Sequence, residues 1–222
     1  MYYNVKSLIL RSNATAEADK TIVAYTLDWG KIMLSVPGAK KITAKLSNIT
    51  EPLTQAELSI YMPSESARGK VTGGTLINGY WGLKKSFKRH VYAMYASEIA
   101  EKLAPFNSAG ETKYLLISRA WEILESSPNP LKTLTAFTLR MLKISGYSFS
   151  DYLINSGAPC RAEMFDAIKN LSACSGELAH EVFCADENAV WNYVESYLAN
   201  YIQTSKVSVF LKQVPQVFGG NI

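Results

Sequence analysis

Five short β-strand patterns, linked by turns, fill roughly the first third of this 222-residue chain and constrain its fold more than any other feature. Each pattern is rich in β-branched and aromatic residues, and no helix-length pattern separates one strand from the next. Because a βαβ layout needs a helix between its strands, this order favours a small closed sheet. The predicted strands are Val5–Arg11, Thr21–Leu27, Lys31–Val36, Ala56–Tyr61 and Lys70–Leu76.

The second part of the chain has helical periodicity. Near Lys84 the apolar residues begin to recur at steps of three and four, which is typical of amphipathic helices. Prolines at 128 and 130 end one of these patterns, and Gly146 ends the next. The predicted helices are Phe87–Ile99, Tyr114–Leu124, Leu131–Ile144, Glu163–Leu171, Asn188–Tyr201 and a short last one, Lys206–Val214.

Positive charge is concentrated in the strand-rich part. Residues 1–90 contain 13 lysines and arginines against 6 aspartates and glutamates, a balance of +7, whereas residues 91–222 contain 10 against 13, a balance of −3. No acidic residue lies between Lys31 and Thr50, where a segment bearing three lysines connects two predicted strands. A basic loop on the edge of a small sheet suits a polyanion better than a small substrate.

These cations are the candidate nucleic-acid contacts, because phosphate neutralisation requires clustered basic side chains. The predicted binding residues are Arg11, Lys31, Lys40, Lys41, Lys45, Lys70, Lys84, Lys85, Lys88 and Arg89. A single strand would also gain from aromatic faces on which its bases stack, although an aromatic residue in a strand more often belongs to the core. The aromatic candidates are Tyr25, Trp29, Tyr61, Tyr80 and Trp81.

Motifs for catalysis are incomplete. His180 lies between Glu177 and Glu181 on a predicted helix, and a His–Glu pair can serve acid–base chemistry or bind a metal. One histidine and two glutamates do not complete a site, so an ordinary surface helix is the favoured interpretation. The segment VTGGTLING lacks the Gly-Lys-Ser/Thr ending of a phosphate loop, and its glycines are better explained by a bend in the closing strand.

The cysteines and the apolar segments argue against a disulfide-bonded, zinc-binding, membrane-spanning or secreted protein. Cys160, Cys174 and Cys184 form no Cys-x-x-Cys pair, so we expect reduced cytosolic thiols and neither a disulfide framework nor a zinc site. No apolar run is long enough for a membrane span, and the start MYYNVKSLIL is too short and too polar for a secretory signal. The sequence predicts no cofactor, no metal and no membrane contact.

Several segments resemble, in the right order, the RecO family of bacterial recombination mediators. SLILRSNATAEADKTIVAYTLDWGKI is similar to the opening of the family, and VPGAKKITAKLSNITEPLTQAEL is similar to its basic loop. VYAMYASEIAEKL contains the Tyr-x-x-Glu of the first long helix, LRMLKISGYSF the Gly-Tyr helix end, and SKVSVFLKQV the final basic segment. The matching positions are Glu17, Thr26, Gly30, Gly38, Ala39, Lys40, Leu46, Pro52, Leu53, Tyr95, Glu98, Gly146, Tyr147 and Lys206.

The resemblance implies a two-domain protein, with an all-β OB-fold barrel over residues 1–80 and an all-α domain over residues 81–222 that contains a divergent insert at about 148–190. It also implies binding of single- and double-stranded DNA, strand annealing, and loading of RecA together with RecR onto DNA coated by single-stranded DNA-binding protein. Such a protein would be non-enzymatic, cytoplasmic and associated with the nucleoid.

Two departures from the family pattern matter. Many relatives carry a four-cysteine zinc module after the Gly-Tyr helix end, but DYLINSGAPC lacks its first cysteine pair, so we expect no zinc. Some relatives hold the acidic tail of single-stranded DNA-binding protein on the third long helix. Near that place this chain has Thr135 and Ala136, with Lys132 and Arg140 as the nearby candidates.

The sequence is also compatible with three other functions. A different OB-fold module that binds RNA or a ribonucleoprotein would have the same charge and fold. An enzyme would place His180, Glu177 and Glu181 in a cleft. A pure scaffold would have no affinity for nucleic acid.

Overall fold

A five-stranded barrel forms the N-terminal part of the protein, for which a computed structural model describes residues 1–15, 19–38, 46–63, 69–147, 149 and 162–199. The strands follow one another in the closed order β1-β2-β3-β5-β4. Their bounds are Tyr2–Ala14 (β1), Lys20–Thr26 (β2), Gly30–Val36 (β3), Thr54–Tyr61 (β4) and Gly69–Asn78 (β5).

The pairing of β1 closes this sheet. Its first half lies antiparallel to β4, with Tyr2 opposite Tyr61, and its second half lies antiparallel to β2. A bulge between Ile9 and Arg11 separates the two halves. β3 and β5 pair in parallel. This arrangement is that of an OB-fold, so the predicted fold class is confirmed.

Alternation along each strand fills the barrel. In β4, for example, Ala56, Leu58 and Ile60 are fully buried, whereas Glu57 and Tyr61 point outward. The inward residues of all five strands form one apolar core, on which Trp29 and Leu46 pack from the loops. The core therefore follows from the period-two pattern of the sequence.

Helices follow the barrel, as predicted. They are Trp81–Lys85 (α1), Phe87–Leu103 (α2), Glu111–Ser126 (α3), Pro130–Ile144 (α4), Ala162–Ala173 (α5) and Glu187–Ala199 (α6). Two 3₁₀ helices cover Asn48–Thr50 and Gly176–Glu181, and the second occupies the segment around His180 for which an ordinary helix was expected. The predicted helix Lys206–Val214 lies outside the described residues. None of the described helices is both long enough and apolar enough to cross a lipid bilayer.

The described chain divides into two compact units. The first contains Met1–Trp81 together with Ala100–Ser118, and the second contains Gly82–Ile99 together with the described residues from Arg119 onward. In the second unit α4 is largely buried and contacts α5, α6 and the 3₁₀ helix. The domain boundary after residue 80 stays a prediction.

Candidate nucleic-acid interface

The basic loop leaves and rejoins the barrel at defined points. At its start Gly38 adopts a left-handed conformation, with φ +67°, and its N–H donates to Oδ1 of Asp19 at 2.8 Å. At its end the hydroxyl of Thr50 donates to the carbonyl oxygen of Leu46 at 2.7 Å. The lysines that the sequence singled out in this loop lie outside the described residues: Lys40, Lys41 and Lys45.

Two predicted contact residues instead bind Glu101. The guanidinium of Arg11 lies 2.8 Å from a carboxylate oxygen of Glu101, and the Arg11 side chain is nearly half exposed. Lys31 is buried, and its ammonium donates to the main-chain oxygen of Glu101 at 2.6 Å. The same ammonium lies 4.2 Å from the centroid of the Phe106 ring. Both cations therefore help to hold residues 101–106 against the barrel.

Burial also changes the ionisation of Lys31. Desolvation lowers the pKa of its ammonium, and the nearby carboxylate of Glu101 partly offsets that effect. A buried amine that already has a carbonyl acceptor and an aromatic face has little capacity left for a phosphate.

Lys70 has the opposite environment. It is exposed on β5 and is paired in register with Tyr61 of β4, which is itself opposite Tyr2 of β1. The rings of Tyr2 and Tyr61 lie 5.1 Å apart between centroids, and both are exposed. A cation and two aromatic rings thus lie side by side on the outer face of the barrel. Tyr2 is not among the residues predicted from the sequence, although the outward alternation of Tyr2, Asn4 and Lys6 around buried Val5 indicates its exposure.

The second basic group lies on α1 and at the beginning of α2, in the second unit. Lys85 and Lys88 are exposed, and Lys84 and Arg89 are partly buried. Desolvation, followed by the charge of Lys84, lowers the pKa of His90. A lowered pKa keeps His90 neutral at physiological pH, so the positive charge here comes from the lysines and Arg89.

The aromatic candidates fall into two groups. Tyr25 and Tyr80 are completely buried, and the hydroxyl of Tyr25 donates to the carbonyl oxygen of Gly110 at 3.3 Å. Trp29 packs against the barrel core and is partly exposed. Tyr61 and Trp81 are exposed. Stacking with a base needs an accessible ring face. Of these five aromatic residues, Trp29, Tyr61 and Trp81 therefore remain candidates for stacking.

The candidate partner residues Lys132 and Arg140 belong to α4. The ammonium of Lys132 donates to the main-chain oxygen of Val182 at 2.9 Å and lies 3.1 Å from a carboxylate oxygen of Glu187. Lys132 is therefore occupied within its own unit. Arg140 is partly exposed, near Gly176.

The residues of the enzyme hypothesis also have local partners. The Nδ1–H of His180 donates to the main-chain oxygen of Glu177, at 2.8 Å, and Nε2 lies 3.9 Å from the carboxylate of Glu181. The guanidinium of Arg119 binds the carboxylate of Glu177. Within the described part of the chain, no three histidine, cysteine, aspartate or glutamate side chains are arranged to hold a metal ion.

Comparison with known proteins gives one family match and several similar proteins. Residues 1–80 match the family described as "Recombination protein O N terminal". A DNA repair protein RecO of Dehalococcoides mccartyi is 30% identical over 149 residues, covering 65% of this chain and 56% of that protein. One of Heliobacterium modesticaldum is 29% identical over 145 residues, covering 65% and 52%. One of Pelotomaculum thermopropionicum is 22% identical over 206 residues, covering 92% and 73%.

The segment matched by the family model contains the whole closed barrel, since β1 to β5 all lie within residues 1–80. The chain spans little more than half the length of the first two relatives. Residues 1–80 therefore match the RecO N-terminal family, and the predicted resemblance of this chain to the RecO proteins is confirmed.

Proposed function

We propose that this protein is a DNA-binding recombination mediator that acts in DNA repair without catalysing a reaction. The observation that carries the proposal is the match of the RecO N-terminal family to the residues that build the barrel. The names of the relatives, which are DNA repair proteins, and the positive balance of residues 1–90 support it.

Phosphate binding would be the central chemistry. DNA strands repel each other because each phosphate is charged, and a protein that neutralises phosphates along one surface lowers that repulsion. Two complementary strands held in this way can pair, so strand annealing would follow from the same contacts. The sequence supplies the loop lysines for this role, and the structure adds cations that are exposed or partly exposed. The proposed set is Lys40, Lys41, Lys45, Lys70, Lys84, Lys85, Lys88 and Arg89.

Arg11 and Lys31 have a different role in this proposal. Their contacts with Glu101 make them residues that hold residues 101–106 on the barrel, so we leave them out of the phosphate-binding set. Their substitution would be expected to affect stability before it affects DNA affinity.

The partners are proposed from the family alone. RecR, single-stranded DNA-binding protein and, indirectly, RecA would be the proteins with which this mediator acts, in the cytoplasm at the nucleoid. If an acidic partner tail binds to α4, Arg140 is the better candidate, because the ammonium of Lys132 already binds Val182 and Glu187.

A gel-shift titration tests the proposal. The chain is titrated into single-stranded and duplex DNA at about 50 mM and 200 mM salt, because electrostatic binding weakens over that range. The variant Lys40→Glu/Lys41→Glu/Lys45→Glu is expected to bind at least about tenfold more weakly at moderate salt, since three phosphate contacts become repulsive. Circular dichroism checks that the variant is folded.

A control variant has the same change in net charge at three exposed lysines elsewhere in the chain, Lys102→Glu/Lys143→Glu/Lys169→Glu, and is expected to keep most of the affinity. Equal losses in both variants would mean that net charge and not the loop determines binding. Absence of DNA binding by the unmodified chain would refute the proposed function. Stronger competition by RNA than by DNA of the same sequence would favour an RNA-binding module instead.

A further inference from the structure

A cavity of about 560 Å³ opens at one end of the barrel, within the first unit. Its lining comes from the start of β1, the turn between β2 and β3, the residues after β4, and a segment that follows α2. The lining residues are Met1, Tyr3, Asp28, Trp29, Met62, Pro63, Asn107 and Ala109. Mouths of β-barrels are common ligand sites, and this volume lies within the range of about 300–1,000 Å³ that small-molecule pockets occupy.

Two aromatic rings form one wall of the cavity. The rings of Tyr3 and Trp29 meet edge to face, with 4.7 Å between their centroids and 74° between their planes. Trp29 also packs on the barrel core, which fixes the position of its indole. The thioether of Met62 and the ring of Pro63 add apolar surface. A rigid wall of this composition favours a flat, weakly polar group such as a heterocyclic ring.

Asp28 adds a hydrogen-bond acceptor at the same cavity. It is exposed in the turn between β2 and β3, and among the described residues no hydrogen bond or ion pair engages its carboxylate. An ionised carboxylate only accepts hydrogen bonds, so it selects ligands that carry N–H or O–H groups. Asn107 lines the same cavity with φ +53°, and its N–H donates to the carbonyl oxygen of Lys31 at 3.0 Å.

We propose that this cavity binds one unstacked nucleobase with an exocyclic amino group, taken from a single strand that lies on the first unit. The ring would pack on Tyr3 and Trp29, and its amino group would donate to Asp28. This inference rests on the proposed function, to which it adds a base contact. A base in a duplex is paired and stacked and cannot enter, so the contact is specific to single strands.

Charge favours a nucleic acid over a peptide as the occupant. A cationic side chain of a partner protein could also use an aromatic wall and a carboxylate. The residues of this unit, 1–81 and 100–118, contain 11 lysines and arginines against 8 aspartates and glutamates, however, and this balance of +3 attracts a polyanion and repels a basic peptide. Among the bases, cytosine can donate from its N4 amino group to a carboxylate, whereas thymine presents acceptors there.

Fluorescence anisotropy with oligo(dC) and oligo(dT) of equal length tests the inference on the full chain. The unmodified protein is expected to bind oligo(dC) about fivefold more tightly than oligo(dT). Asp28→Asn is expected to abolish that preference, because an amide can both donate and accept. Loss of a negative charge raises the affinity for all DNA, so the ratio of the two affinities is the measured quantity.

Glu57→Gln is the matched control, because Glu57 is an exposed acid on β4 that does not line the cavity. It is expected to keep the preference for oligo(dC). Equal affinities for the two oligonucleotides, or a preference that survives in Asp28→Asn, would overturn the base site and leave the proposed function standing. Absence of binding to either oligonucleotide would overturn both the base site and the proposed function. Binding of an oligolysine peptide that Asp28→Asn abolishes, with no effect on the oligonucleotide ratio, would assign the cavity to a protein partner.

Discussion

Gly30 and Gly146 share a left-handed backbone conformation but have different surroundings. Gly30 has φ +67° in the turn into β3, and a Cβ atom there would collide with the carbonyl group of Ser108. Gly146 has φ +86° after α4, and a Cβ atom there would meet nothing within 4 Å. The two positions therefore separate the effect of backbone strain from the effect of a steric clash.

Alanine substitutions are expected to differ accordingly. Gly146→Ala should lower the free energy of unfolding by about 1 kcal/mol, the cost of a Cβ atom in the left-handed region. Gly30→Ala should lower it by about 3 kcal/mol or more, because Ser108 and its neighbours must also move. Urea denaturation followed by circular dichroism measures both values. Equal losses would show that residues 106–110 do not pack closely on Gly30.

Lys31 shows what a sequence can and cannot reveal about one residue. Its place near the beginning of a predicted strand, in a basic part of the chain, suggested an exposed cation. The structure buries it because Phe106 forms a bridge beside it and Glu101 accepts its hydrogen bond. These partners lie about 70 residues further along the chain, and no local pattern connects them with β3. Non-local packing of this kind is not visible in periodicity.

At the scale of elements, local signals located the five strands and most of the helices. Alternation and turn residues predicted β2 and β3 to within a residue or so, because both signals lie inside the segment. β1 extends further in both directions than predicted, because its length depends on pairing with β4 and β2. Gly176–Glu181 is a 3₁₀ helix where an ordinary helix was expected, and it packs on α4.

The beginning of α4 depends on one side chain. Oδ1 of Asn129 accepts a hydrogen bond from the N–H of Lys132 at 3.1 Å, and Pro130 occupies the first turn. Nδ2 of Asn129 also donates to a carboxylate oxygen of Glu187 at 2.7 Å. Asn129 therefore satisfies a free N–H of one helix and contacts the beginning of α6.

Replacing Asn129 separates these two roles. Asn129→Ala is expected to lower the free energy of unfolding by about 1 kcal/mol relative to Asn129→Ser, because serine keeps an N-cap acceptor and alanine does not. Both variants lose the hydrogen bond to Glu187, so their difference measures the cap alone. Chemical denaturation provides the comparison. Identical stabilities would mean that the cap contributes nothing to α4.

At the scale of the whole molecule, the first unit is not continuous in sequence. Residues 100–118 join the barrel through side chains as well as main chain, since Nε2 of Gln55 donates to the hydroxyl of Tyr114 at 3.0 Å. The sequence could indicate the basic balance of the first 90 residues and the exposure of Lys70, Lys85 and Lys88. It could not indicate the cavity beside Trp29, because four separate segments build it.

The salt dependence of DNA affinity measures how many cations of the protein contact phosphates of one DNA strand. For a single strand the logarithm of the binding constant should fall with the logarithm of salt concentration, with a slope of about −0.7 per phosphate contact. If exposed Lys85 and Lys88 each contact a phosphate, Lys85→Gln/Lys88→Gln should reduce the magnitude of that slope by about 1.4. The matched variant Lys143→Gln/Lys169→Gln removes the same charge from other exposed positions and should leave the slope unchanged. Anisotropy titrations across a salt series measure all three slopes. The slope reports the number of counterions released, which loss of a distant charge does not change. An unchanged slope in Lys85→Gln/Lys88→Gln would therefore place the phosphate contacts on the barrel and its loop.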